Sequence, residues 1–170
     1  MRLLSEERRQ KIDQALLTAP VTISSIVLGK FLASVAVYAL AFSPVVLFEI
    51  IVTLLSTPNW LIFLNAWLGA MLIGAALIAI GMFISALTES PIISCILTLI
   101  AFLLLMVLPS LASLAGVEWI TAAANKIAFV NLFSSFTSSI FRIVDVVYLL
   151  SVIAVFVFLS IRAVERRRWA

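Results

Sequence analysis

Four long apolar stretches, nearly free of charged residues, dominate this sequence. They cover about residues 31–55, 60–87, 92–114 and 144–161. A helix needs about 20 predominantly apolar residues to cross the hydrocarbon core of a bilayer. Each stretch meets or approaches that length, so the sequence predicts four transmembrane helices.

The composition leaves no soluble alternative. Of the 170 residues, 65% are hydrophobic and 11% are charged, whereas a soluble domain is roughly half apolar and a quarter charged. A soluble fold of this size could not hide so much apolar surface from water. We therefore predict an all-α integral membrane protein that is surrounded in part by membrane lipid.

The basic residues lie mainly at the two ends of the chain, beside apolar stretches. With four spans both termini lie on one side of the membrane, and that side carries nine Lys and Arg residues against two, Lys126 and Arg142, on the other. Cytoplasmic segments carry such an excess of basic residues. We therefore expect both termini in the cytoplasm, and we explain the net charge of +3 by topology, with no nucleic acid as a partner.

Three segments outside the spans complete the predicted organisation. Residues 1–22 form a cytoplasmic segment that contains an amphipathic helix over 5–19. Residues 163–170 form a basic cytoplasmic tail. The membrane domain between these two segments covers residues 23–162. Residues 117–143 mix apolar side chains with polar and charged ones. Placing Lys126 at the bilayer centre would cost about 3 kcal/mol. We therefore expect this segment to form short helices at the outer face or part-way into the membrane.

The residue types exclude several kinds of active site. The chain has no His and a single Cys, Cys95, which excludes an internal disulfide, a Cys/His zinc site and a His-dependent catalytic triad. The Gly29-Lys30 pair lacks the first Gly and the Ser or Thr of a phosphate-binding loop. We expect no catalytic residue, no metal and no cofactor. ATP-driven work would need an ATPase on another chain.

Small residues recur at helical spacing on the second apolar stretch, at Ala66, Ala70 and Gly74. Such residues let two helix backbones approach closely, and close packing drives helix association in lipid. The motif indicates either an interface with a second subunit or pathway, or ordinary packing within this chain. The pattern alone does not separate these interpretations.

Glu49 lies well inside the first apolar stretch. Charged residues within a membrane usually face a cavity or a partner, which makes Glu49 a candidate pathway residue. It precedes the outer turn by roughly 9–10 Å at 1.5 Å per residue. From that depth a tilted side chain also reaches the interface, so both interpretations stand.

Four segments of the sequence resemble one family, in order and at matching spacing. They are residues 1–31, with the sequence LLTAPV at 16–21, and residues 84–89, 144–149 and 161–169. Together they resemble the ABC-2-type permease subunits of ABC transporters. Within that family they are most similar to the gliding-motility and nitrous-oxide-reductase-maturation permeases.

The resemblance implies a function that composition does not show. The helix at 5–19 would be a coupling helix that docks on a separate ATPase subunit, which binds the ATP. Its apolar ridge would be Leu16 and Leu17, and its charged rim would be Glu6, Glu7, Arg8 and Arg9. The short outer helices would cap the pathway. The working unit would be two permease subunits, as a homodimer or heterodimer, with two ATPases in a bacterial inner membrane.

The sequence also departs from the usual pattern of that family. Lys11 and Asp13 stand where a small residue and a Leu are usual, and members usually carry two further spans before the coupling helix. We therefore expect either coding sequence for two spans upstream of Met1 or a short form. The alternative function is a membrane assembly or regulatory partner that does not transport. The sequence does not select a substrate among lipids, drugs, peptides and ions.

Overall fold

The computed structural model describes residues 22–55, 59–88, 90–114, 128–137 and 142–168. Within these ranges the chain forms helices and no strands, which confirms the predicted all-α class. The helices are α1 (Ile23–Phe42), α2 (Pro44–Leu55), α3 (Trp60–Leu87), α4 (Pro91–Leu114), α5 (Phe129–Thr137) and α6 (Ile143–Arg168). The helix predicted over 5–19 lies outside the described residues.

Four helical segments are long and apolar enough to cross a bilayer. They are Ile23–Leu55, which joins α1 and α2, then Trp60–Leu87, Pro91–Leu114 and Ile143–Arg166. The prediction of a multi-pass protein with four spans is confirmed. The short helix α5 lies within the segment 117–143, where short outer helices are predicted.

The first span is interrupted at Pro44, as the sequence predicts. Pro44 has no N–H, so the carbonyl of Leu40 loses its usual helical partner. The Ser43 N–H and the Ser43 hydroxyl both bond to that carbonyl, at 3.2 Å and 2.7 Å. The freed backbone group is therefore satisfied locally, which a helix in lipid requires.

Helix α1 begins at Ile23, where the predicted membrane domain begins and about two turns before the predicted apolar span at residue 31. Ser24, Ser25 and Lys30 lower the hydropathy of this first part, so an apolar pattern does not include it. Ile23 and Val27 are nonetheless buried in a cluster with residues of α3 and α6, which are Ala79, Met82, Ala86 and Val157. Packing against α3 and α6 therefore holds the first part of α1 in place.

Helix α3 is at the centre of the bundle. It packs against α1, α4, α5 and α6, and 50% of its most apolar stretch is buried within the chain, against 0% for the first span. A second cluster joins α3 to α5 and α6 through Ala76, Ile80, Phe129, Leu132, Phe136 and Leu149. Many of the buried α3 residues are Gly, Ala or Ser, which allows neighbouring helices to come close.

Gly69 of α3 is the position at which α5 packs closely against α3. Phe136 is 1% exposed, and a Cβ atom added at Gly69 would lie 2.7 Å from the Phe136 Cβ. That distance is far below van der Waals contact. The absence of a side chain at position 69 therefore lets α5 pack against the N-terminal half of α3.

We expect Gly69→Ala to lower the free energy of unfolding by roughly 1–3 kcal/mol, the usual cost of overpacking. Gly29→Ala is the matched control, because a Cβ there meets nothing within 4 Å. Its stability should be unchanged or higher by up to about 1 kcal/mol, since Ala favours helix. Unfolding by SDS in mixed micelles measures both. Equal stability of the two variants would show that Gly69 and Phe136 are not in close contact.

Candidate functional site

An apolar groove of about 1040 Å³ lies along α3 between α1 and α4. We call it the α1–α4 groove. Its walls are residues 33, 34, 37, 38, 41 and 42 of α1 and residues 102, 105 and 106 of α4, and its floor is residues 70, 73, 74, 77, 78, 81 and 82 of α3. Helix α5 contributes Phe129, Val130 and Phe133.

The groove is open to the surroundings of the helices. Val37 on one wall is 67% exposed and Met106 on the other is 61% exposed. Both residues lie in helices that are long and apolar enough to cross a bilayer. The groove therefore opens on an apolar side of the described helices.

Tyr38 fixes α1 against the floor of the groove. Its hydroxyl donates a hydrogen bond to the carbonyl of Ala70 at 3.1 Å. Its ring lies over Gly74, so that a Cβ atom added there would overlap the ring. The ring also stacks on Phe42, with centroids 5.7 Å apart. Contact between α1 and α3 at this level therefore depends on one aromatic side chain and one glycine.

The structure shows what the small residues Ala66, Ala70 and Gly74 of α3 contact. Ala70 and Gly74 contact Tyr38 of the same chain and line the groove. Ala66 is half-buried and is not part of the groove lining. The motif thus contributes both to packing within the chain and to the groove floor. Its predicted role in a subunit interface stays a prediction.

The hydroxyl groups that line the groove are both engaged with backbone. Besides Tyr38, Ser34 donates to the carbonyl of Lys30 at 2.7 Å. All other lining side chains are hydrocarbon or thioether. The groove therefore offers an apolar surface, with no charged side chain among its lining residues.

Glu49 lies away from this groove. It is on α2, which has no buried residue, and α2 contributes nothing to the groove lining. The Glu49 carbonyl accepts a hydrogen bond from the Thr53 hydroxyl at 2.8 Å. The Glu49 residue as a whole is partly buried. The pathway role suggested for Glu49 stays a prediction.

Other predicted site residues are placed as follows. Cys95 is exposed on α4. Among the described residues, no group of three or more His, Cys, Asp or Glu side chains is arranged to hold a metal ion. The predicted coupling residues, Glu6, Glu7, Arg8, Arg9, Leu16 and Leu17, lie outside the described residues.

The groove has no signature in the sequence. Its walls come from α1 and α4, which are separated along the chain, and their side chains are ordinary membrane residues. Tyr38 was the available signal, because a Tyr in the middle of an apolar stretch needs a partner for its hydroxyl. The identity of that partner, the Ala70 carbonyl, depends on tertiary packing.

A family model described as "ABC-2 family transporter protein" matches residues 1–165 of the chain. The chain belongs to the ABC-2 transporter family. The match extends over almost the whole sequence, including the N-terminal segment that precedes α1. No curated protein and no solved structure matches the chain. Family membership and four spans together describe a membrane-spanning component of an ABC-2 transport system, and the α1–α4 groove is a feature of that component.

A double-mutant cycle tests the contact between Tyr38 and Gly74. We expect Gly74→Ala alone to destabilise the protein by roughly 1–3 kcal/mol, because the new methyl group overlaps the ring. In a Tyr38→Ala background the same change should cost nothing, since the ring is gone. Residues in contact show such coupling, commonly about 0.5–3 kcal/mol.

The control for this cycle is Tyr38→Phe, which keeps the ring and removes the hydroxyl. Its cost should be near 0.6 kcal/mol, a typical value for a hydrogen bond between membrane helices. Unfolding in mixed micelles measures the four proteins of the cycle and this control. Additive effects of the two alanine substitutions would contradict the contact.

Proposed function

We propose that this chain is the permease subunit of an ABC transporter, which forms part of the translocation path and is driven by a separate ATPase subunit. The observation that carries the proposal is the family match over residues 1–165 of a chain with four membrane spans. Family members of this kind are membrane components. In the proposed complex the ATP is bound by the partner.

The proposed link to the ATPase is the helix at residues 5–19. It would present Leu16 and Leu17 to an apolar groove on the ATPase, with charged residues 6–9 at the rim. Such a helix would be joined directly to α1. Ile23 and Val27 at the start of α1 pack against α3 and α6, so a displacement of the preceding segment would act on the centre of the bundle.

The proposed topology places both termini in the cytoplasm of a bacterium, across its inner membrane. Its support is the excess of basic residues on that side. At the end of α6, Arg162 pairs with Glu165 at 3.1 Å and lies 5.2 Å from the centre of the Phe158 ring. An arginine that contacts both an aromatic ring and a carboxylate suits a membrane interface.

The proposed working unit contains two permease subunits, identical or different, and two ATPases. Helix α2 has no buried residue and carries Glu49, so it has surface to offer to a second subunit. The similarity to gliding-motility and nitrous-oxide-reductase-maturation permeases stays a prediction about the branch of the family.

The coupling role predicts unequal effects for two substitutions. Leu16→Asp should weaken association with the ATPase by about ten-fold or more, because burying a Leu contributes roughly 1.5–3 kcal/mol. Arg9→Ala should have a small effect, since an exposed ion pair contributes at most about 1 kcal/mol. The measurement is recovery of the cognate ATPase on the tagged chain from solubilised membranes.

The control is a blot of the membrane fraction for each variant. Position 16 lies outside the four spans found in the described residues, so Leu16→Asp should insert as the wild type does. If Leu16→Asp inserts normally and recovers wild-type amounts of ATPase, this helix is not the docking element. In that case the permease proposal loses its mechanistic support.

A further inference from the structure

The start of α1, the end of α3 and the end of α6 lie together at one end of the helix bundle. Ile23 of α1, Ala86 of α3 and Val157 of α6 belong to one buried cluster. Ile161 and Val164, in the last turns of α6, pack against that cluster. All three helices belong to segments that are long and apolar enough to cross a bilayer. This end of the bundle therefore lies at one interface of the membrane.

Positive charge predominates at this end, which we call the basic end and which comprises the described residues 22–30, 85–88 and 157–168. Its charged residues, five basic and one acidic, are Lys30, Arg162, Glu165, Arg166, Arg167 and Arg168. The other charged residues in the described part of the chain are Glu49, Arg142 and Asp145, of which two are acidic. The excess of cations at the basic end attracts an anionic partner.

Arg162 is held where the apolar part of α6 ends. Its guanidinium carbon lies 5.2 Å from the centre of the Phe158 ring. Its Nη1 donates to the Glu165 carboxylate at 3.1 Å, and its side chain is 63% exposed. A guanidinium has five N–H donors in a planar fork. The contact with Glu165 uses one nitrogen, so Arg162 keeps donors for a further anion.

One side of α6 changes from apolar to basic along its length. Residues three or four apart are neighbours on a helix surface, so Val155, Phe158, Arg162 and Arg166 follow one another on the same side. Val155 and Phe158 are about half-exposed, and Arg162 and Arg166 are exposed. This side presents hydrocarbon first and cations next. A phospholipid presents its acyl chains and its phosphate in the same order.

Charge and hydrocarbon together select the occupant of this side. A second copy of the chain brings the same excess of arginine to the basic end, and other membrane segments tend to carry Lys and Arg at the same interface, so both add repulsion. A free phosphate ion has no hydrocarbon to place against Phe158. A water-soluble ATPase domain lies beyond the level of that side chain. An anionic phospholipid supplies both the negative charge and the hydrocarbon.

We propose that the end of α6 is a binding site for an anionic phospholipid, with Arg162 and Arg166 holding the headgroup phosphate. Arginine forms paired N–H···O bonds with phosphate oxygens, and the acyl chains lie along Val155 and Phe158. Arg167 and Arg168 follow in the sequence and add to the attraction, which acts over about 10 Å. The site does not require the ATPase or the coupling helix, so it stands or falls apart from the proposed function.

A competition between two lipids tests the site. The full-length protein in a mild detergent is mixed with equal amounts of phosphatidylglycerol and phosphatidylethanolamine that have identical acyl chains. Native mass spectrometry measures the ratio of the two bound lipids. The wild type should favour phosphatidylglycerol. Arg162→Gln should lower the ratio about fivefold, the usual contribution of one basic residue near anionic lipid.

Three further variants separate a local site from general charge. Arg142→Gln removes the same charge from the opposite end of α6, roughly 30 Å away at 1.5 Å per residue, and should leave the ratio unchanged because charges at that distance are screened. Arg162→Lys keeps the charge and should keep most of the preference. Glu165→Gln should raise the ratio, because it removes the one acidic side chain beside Arg162.

Four results would overturn the proposal. In the first, the wild type binds the two lipids equally. In the second, Arg162→Gln and Arg142→Gln lower the ratio to the same extent. In the third, inorganic phosphate abolishes the preference when it replaces sodium chloride at equal ionic strength, which means that the site binds free anions. In the fourth, Arg162→Gln keeps the lipid preference and loses the cognate ATPase in the recovery assay, which makes this surface a contact for the ATPase.

Discussion

Between helices in a bilayer the hydrophobic effect contributes little, because lipid tails are as apolar as leucine side chains. Helices then associate through close packing and a few hydrogen bonds. In this protein α3 supplies the surface for both. Its buried face consists largely of Gly, Ala and Ser, and α1, α4, α5 and α6 all pack on it. The arrangement of the other helices, and the space left between them, follows from where α3 lets them approach.

The α1–α4 groove is a consequence of that arrangement. Gly69 accepts Phe136 and so positions α5, while Gly74 accepts Tyr38 and so positions α1. Helix α4 also packs on α3. Helices α1 and α4 therefore form the two walls of the apolar groove, and α3 forms its floor. The same glycines that hold the bundle together therefore define the candidate site. Substituting them would change stability and groove shape together.

Much of the architecture follows from local sequence. Four spans and the interruption at Pro44 come from apolar length and from the missing N–H of proline, which are properties of short segments. The burial of Ile23 and Val27 at the start of α1 does not, because it depends on where α3 and α6 lie. The Tyr38–Gly74 and Phe136–Gly69 pairs join residues far apart in the chain. One sequence has no local signal for such pairs, so the groove could not be predicted from it.

Family membership and coupling to an ATPase rest on different parts of the chain. The motifs around residues 1–31 indicated an ABC-2 permease, and the family match supports membership over residues 1–165. Coupling to an ATPase depends on residues 5–19, which precede the described helices. The lining of the groove is apolar throughout, which agrees with a membrane component.

We propose that this membrane protein and an ABC ATPase together form one ATP-driven transporter. The direct measurement is the rate of ATP hydrolysis by the cognate ATPase in liposomes that contain or lack this chain, at equal ATPase content. The account predicts that the rate changes when the chain is present and that the difference disappears when the ATPase's phosphate-binding lysine is substituted. Identical rates with and without the chain, in vesicles where its insertion is verified, would contradict the claim.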